Sequence, residues 1–150
     1  MAEVTAVCLS EKKGTPKTAV AQVETRANHG IVGDAHAGTW HRQISLLGQE
    51  SVEPLKALLP DLAPGAFAEN ILTRGITLYT LPVGTRLRVG EAVLEVTQIG
   101  KECHAGCAIR RLTGDCVMPR EGIFARVLEP GIIRPGDPIQ VLPESSAAPD

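Results

Sequence analysis

The residues best suited to chemistry lie in one short stretch, Gly100-Lys101-Glu102-Cys103-His104-Ala105-Gly106-Cys107. It places two thiols, an imidazole and a lysine amine within seven residues. A thiol attacks only as the thiolate. Its free pKa is about 8.5, and nearby cations lower it. The apolar run Ala92 to Ile99 reads as a strand leading into the stretch. If Cys103 ends that strand, Lys101 shares its face by the two-residue period. Lys101 is then the thiolate stabiliser and His104 a proton shuttle, while Arg110 and Arg120 add positive potential. Cys103 could carry sulfur as a persulfide or ligate a soft metal such as molybdenum or zinc. Three residues separate Cys103 from Cys107, so this is not a Cys-x-x-Cys redox motif. Cys107 could still act as a resolving thiol if a helix starts at once. A zinc site from Cys103, His104, Cys107 and Cys116 lacks the usual paired short spacings.

A second candidate is the loop from Asn28 to Gln43, with three glycines after Asn28, three histidines, Asp34 and the only tryptophan. Such loops on a rigid scaffold commonly bind ligands. Gly33, Asp34 and His36 are its candidate binding residues, against the simpler reading in which Asp34 caps a turn through its own backbone. The pair His36 and His41 is a weak metal signal. Further on, Glu69, Asn70, Thr73 and Arg74 cluster beside an apolar seam. Cys8 sits in an alternating apolar segment and reads as a small buried side chain.

These residues need a scaffold, and the chain has 150 residues to build one. That suits a single domain, burying roughly two thirds of its unfolded surface. Apolar residues make up 43% and charged residues 21%, with aromatics at 3%. Aliphatic side chains must therefore fill the core, and a base-stacking platform is disfavoured. A net charge of −2 with no basic block argues against nucleic-acid binding. No apolar run reaches the roughly 20 residues of a membrane span, and Met1-Ala2-Glu3 opens into a strand-like pattern without a signal region. A cytoplasmic protein with free, catalytic or metal-bound thiols is expected.

Residues 4–10 and 18–24 read as two antiparallel strands. Gln43 to Leu47 reads as a strand leaving the glycine-rich loop. Val52, Leu55, Leu58 and Leu59 mark one helix face. Pro54 is tolerable only in a first turn, so this helix should begin near Ser51. Gly90-Glu91 between two alternating runs predicts a type II′ hairpin. Strands at 123–129 and 139–142 close the set, and residues 143–150 read as a disordered tail. The pattern favours one mainly-β domain over 1–142, barrel-like, with one or two short helices and a helix across one opening.

Several blocks together resemble the MOSC domain, named for the C-terminal domain of molybdenum-cofactor sulfurase. They are Gly33-Asp34-Ala35-His36-Ala37-Gly38, residues 64–73, the Ile99-to-Cys107 stretch, and residues 120–128 followed by Gly131 and Gly136-Asp137. They run in family order and look closest to the small stand-alone bacterial type. The resemblance implies a β-barrel-like fold with its functional cysteine at Cys103. That cysteine would accept sulfur from a pyridoxal-phosphate-dependent cysteine desulfurase and pass it to a metal cofactor, or bind the molybdenum of that cofactor directly. The Gly33–Asp34 loop, Glu69, Asn70 and Arg126 would line the same pocket. Pyridoxal phosphate would belong to the partner enzyme. Other partners would be a molybdenum-cofactor enzyme or biosynthesis protein. Against sulfur transfer stand three alternatives: a cofactor-binding chaperone, a small reductase component for N-hydroxylated compounds, and a zinc-stabilised interaction module.

Overall fold

The computed structural model describes residues 2–12, 17–57, 60, 62–100 and 121–143. Among them are eleven strands, one α-helix and a single 3-10 turn, Leu78–Thr80. The domain is mainly β, as expected.

The first strand, β1 (Glu3–Leu9), pairs antiparallel with β2 (Thr18–Val20), Val7 facing Val20. Here the expected second strand breaks in two. β2 is an exposed edge, whereas β3 (Val23–Arg26) alternates buried and exposed and must leave that edge to bury Val23 and Thr25. β3 joins β4 (Gly30–Ile31) and β10 (Ile132–Ile133) in a small second sheet.

β5 (Ile44–Gly48), α1 (Gln49–Lys56) and β6 (Ile71–Arg74) form a parallel crossover, Leu46 beside Ile71 and Gly48 beside Thr73. The sequence pattern did not mark β6. A parallel strand buried on both faces shows no alternation, and Ile71, Leu72 and Thr73 are all buried. α1 begins two residues earlier than Pro54 suggested. Pro54 lies inside the helix, where its missing N–H removes one bond of a short element. The helix turns Val52 and Leu55 onto Leu47, Leu72 and Phe124, so it covers an outer face of the sheet rather than an opening. Leu58 and Leu59 lie outside the described residues.

β7 (Arg86–Val89) and β8 (Ala92–Ile99) make the expected hairpin, with Gly90 at φ +58° in the first turn position. β9 (Ile123–Glu129) pairs with both β8 and β5, and β11 (Ile139–Val141) with β7. The large sheet runs β11-β7-β8-β9-β5-β6-β1-β2. It rolls without closing into a complete barrel. A lone bridge, Glu3 to Pro138, ties the start of β1 to the residue before β11. Ile44, Leu46, Ile71, Val7, Leu87, Leu94 and Ile123 fill the inside of the roll. Burial of such side chains contributes roughly 1.5–3 kcal/mol each relative to exposure.

Candidate functional site

Two folded-back loops meet at the end of β1. Ser10 follows β1, and its N–H donates to Asp34 Oδ1 at 3.1 Å. The same carboxylate oxygen accepts from Lys17 Nζ at 2.8 Å. Neither side chain of this ion pair has any exposed surface. Lys17 Nζ also approaches Ser10 Oγ at 3.3 Å and His36 Nδ1 at 3.0 Å. Asp34 Oδ2 accepts the His36 backbone N–H at 3.1 Å. A loop rich in Gly and Asp can fold in this way because Asp closes short turns through its own backbone. Lys17 is held in turn by main chain: its N–H donates to Gly65 O at 2.8 Å. Gly65 has φ +91°, and a Cβ there would overlap the Lys17 carbonyl, so only glycine fits.

Glu69 lies behind this cluster, 1% exposed. Its two carboxylate oxygens accept from the N–H groups of Gly65 (2.8 Å) and Phe67 (3.0 Å), fastening the turn that carries Gly65. Burial pushes its carboxyl above the usual range, against the lowering effect of those backbone donors and of Lys17. Asn70 stitches three strands. Its Oδ1 accepts from the Ser45 N–H (3.0 Å) and hydroxyl (3.2 Å), and its Nδ2 donates to Cys8 O (3.1 Å). Cys8 itself is fully buried. Burial first, then the charge of Glu69, push its thiol up to about 12, so it stays a thiol at neutral pH.

The far half of the same loop faces a different place. Trp40, His41, Val83, Glu95, Thr97 and Arg126 line an open cleft of about 390 Å³. His41 Nε2 lies 2.8 Å from Gln98 Oε1, which also accepts from Arg42 Nε at 3.2 Å. The Arg42 guanidinium stacks 5.8 Å from the Trp40 ring centre and 5.3 Å from that of Phe124. Arg126 donates through Nε to Glu95 Oε1 at 2.6 Å.

The structure therefore gathers Asp34, His36, Glu69 and Asn70 at one end of β1 and puts Arg126 in the separate cleft. Gly33, at φ +89°, has open space where a side chain would be. His36 and His41 turn to different partners. Among the described residues no three His, Cys, Asp or Glu side chains could hold a metal ion. Lys101, Cys103, His104, Cys107, Cys116 and Arg120 lie outside the described residues. The positions that bracket them are joined by a hydrogen bond from the Gly100 N–H to Gly122 O at 2.7 Å, where β8 ends and β9 begins. Lys17, Ser10 and Ser45 carry no local signal. A lysine in a polar turn reads as a surface charge until the fold brings Asp34 to it.

The MOSC domain model matches residues 33–140, which contain the Asp34 loop, Glu69–Asn70, Cys103 and Arg126. The chain belongs to the MOSC domain family. Solved structures share this fold. The YuaD protein from Bacillus subtilis superposes with a TM-score of 0.76 at 20% identity, covering 94% of this chain and 96% of that one. YiiM from Geobacillus stearothermophilus gives 0.71 at 20% identity, covering 98% and 78%. YiiM from Escherichia coli gives 0.65 at 20% identity, covering 95% and 70%. No curated protein matches the chain. The MOSC assignment makes this a molybdenum-cofactor-related protein. No helix among the described residues is long and apolar enough to cross a membrane.

The molybdenum cofactor is a phosphate-bearing pterin that needs free donors, cations and a metal ligand. The described residues at the end of β1 do not fit it as a resident group. Asp34 and Glu69 turn their oxygens onto protein N–H groups and Lys17. Lys17 is buried in an ion pair.

Proposed function

We propose that the protein is a sulfur carrier or transferase in molybdenum-cofactor metabolism, with Cys103 bearing the sulfur. The observation that carries this reading is the MOSC match across residues 33–140, which brackets a cysteine flanked by Lys101 and His104. The donor is a pyridoxal-phosphate-dependent cysteine desulfurase holding a persulfide. The acceptor substrate is the molybdenum cofactor, presented by an enzyme or assembly protein that uses it. The setting is the cytoplasm.

The Cys103 thiolate attacks the outer sulfur of the donor persulfide. A new S–S bond forms on Cys103, the donor's S–S bond breaks, and the donor thiolate leaves. Lys101 favours the attacking thiolate, and His104 moves the proton. Onward transfer repeats the exchange on an acceptor nucleophile. Where free sulfide is needed, Cys107 attacks the inner sulfur, forms a disulfide with Cys103 and expels hydrosulfide. A dithiol reductant then restores both thiols.

Of the other family positions, Asp34, Glu69 and Asn70 hold the walls, since their polar atoms are engaged internally. Contacts to an acceptor are assigned to Gly33, His36, Arg120 and the half-exposed Arg126. Intact mass after incubation with a cysteine desulfurase and cysteine tests the reading. One added sulfur atom, absent in Cys103→Ser, is the expected result. Stoichiometric molybdenum in the purified protein with no added sulfur would replace this reading with one in which Cys103 ligates the metal.

A further inference from the structure

We infer that the pocket beside the start of α1 binds the ammonium group of a small primary amine. The pocket holds about 180 Å³ and shares no lining residue with the Asp34 cluster or with the cleft of Trp40 and Arg126. Gly48, Glu50 and Ser51 form one wall, and Glu121 also lines it. The wall is notched at Gly48, which leaves the space of a side chain. A Cβ there would meet Glu50 Oε1 at 3.4 Å, Ser51 Oγ at 3.9 Å and Thr73 Oγ1 at 3.9 Å. Three side-chain oxygens from a helix and a strand therefore converge on one unfilled place.

Two of these oxygens are held there with no partner of their own. Thr73 lies beside Gly48 in the parallel pairing of β5 with β6, so its side chain rises on the face where that of residue 48 is missing. Thr73 is fully buried, and its Oγ1 has no hydrogen-bond partner among the described residues. A buried hydroxyl is costly to leave unpaired, so a donor from outside the chain would complete it. Glu50 is fixed through its other oxygen. Its Oε2 accepts the Gly75 N–H at 2.8 Å, which leaves Oε1 facing the notch.

The oxygens select the ligand. An ammonium has three donors and no acceptor, which matches one carboxylate and two hydroxyls. An anion, which the start of a helix otherwise attracts, meets Glu50 and Glu121 instead. Among the described residues no group of His, Cys, Asp or Glu could hold a metal ion. Ile76, Leu78 and Tyr79 line the rest of the pocket and suit a short carbon stem behind the ammonium.

Nitrogen–proton NMR of the whole chain, titrated with n-butylammonium chloride, tests this. The Gly48 and Gly75 amide signals should shift saturably, whereas n-butanol, with the same stem and no charge, should leave them in place. Equal shifts from both probes would make the pocket merely apolar and overturn the inference. No shift from the amine would also overturn it and assign the Thr73 hydroxyl to water. Potassium chloride at the same concentration should not displace the amine; displacement would overturn the amine in favour of a bare ion. Gly48→Ala puts a methyl in the notch at ordinary contact distances, at φ −78° and ψ 137°, so this variant should fold as the wild type does and bind no amine. Glu50→Gln keeps an oxygen but removes the charge, and should bind about tenfold more weakly. Unchanged binding in either variant would overturn the assignment.

Discussion

The loop from Asn28 to Gln43 serves two neighbourhoods, and they differ in one respect. Its first half turns Asp34 inward, where the carboxylate is fully covered and meets a fully covered lysine. Its second half turns Trp40 and His41 outward, along an open cleft. The same composition of glycine, histidine and polar residues thus yields a fixed support and an accessible surface within a few residues. Burial separates the two roles. A charge removed from water needs its partner permanently, while a charge at the surface can exchange its partner for a ligand.

The largest expected effect comes from breaking the support. Lys17→Met should cost about 3–5 kcal/mol of stability, because it leaves the Asp34 carboxylate buried and unpaired. Chemical denaturation at neutral pH checks this. A loss under about 1 kcal/mol would mean that water reaches Asp34 and that the contrast between the halves is false.

Glu69→Gln comes next. An amide nitrogen cannot accept, so either the Gly65 or the Phe67 N–H loses its partner, at about 1–3 kcal/mol. The pH dependence sharpens this. The folded-state pKa of Glu69 is raised above the ordinary 4.5, chiefly by burial. In that window the native state binds more protons than the unfolded state. The contribution of Glu69 to stability is therefore full below 4.5 and is lost as pH rises through the raised value. Denaturation curves across that range should decline in the wild type, with this component absent from Glu69→Gln. A parallel pair of curves would place the carboxyl in water.

On the open side the same operation should be mild. Arg126→Ala removes a surface ion pair with Glu95, worth about 0.2–1 kcal/mol. The melting curve should barely move, while the acceptor substrate should bind more weakly. A large loss of stability would make Arg126 part of the support.

The smallest change concerns Thr73, which is buried, with an Oγ1 that has no hydrogen-bond partner among the described residues. Thr73→Val keeps the shape and removes an unsatisfied group, so it should be neutral or slightly stabilising. A clear destabilisation in thermal melts would show that the hydroxyl has a partner.

Much of the strand framework was legible in the sequence because strands write either a two-residue alternation or a short apolar run between turn residues. β7 follows the alternation, β1, β8 and β9 stand out as apolar runs, and Gly90 marks a turn that needs positive φ. The β5–α1–β6 crossover was not legible as such, because β6 is buried on both faces and its partner is parallel. The site followed the same division. Asp34, His36 and Glu69 stood out by residue type and by resemblance. Their anchor, Lys17, did not, because its role depends on contacts 17 residues away with Asp34 and on the Gly65 turn. Cys8 was read correctly as a buried thiol, since its neighbours along β1 already form an apolar pattern.

The central claim is that one cysteine carries sulfur while another, sealed in the support, cannot. Mass mapping of alkylated peptides after incubation with a cysteine desulfurase and cysteine tests it most directly. The extra sulfur should appear on the peptide containing Cys103 and be absent from the one containing Cys8. Sulfur on Cys8, or on neither cysteine, would contradict the account.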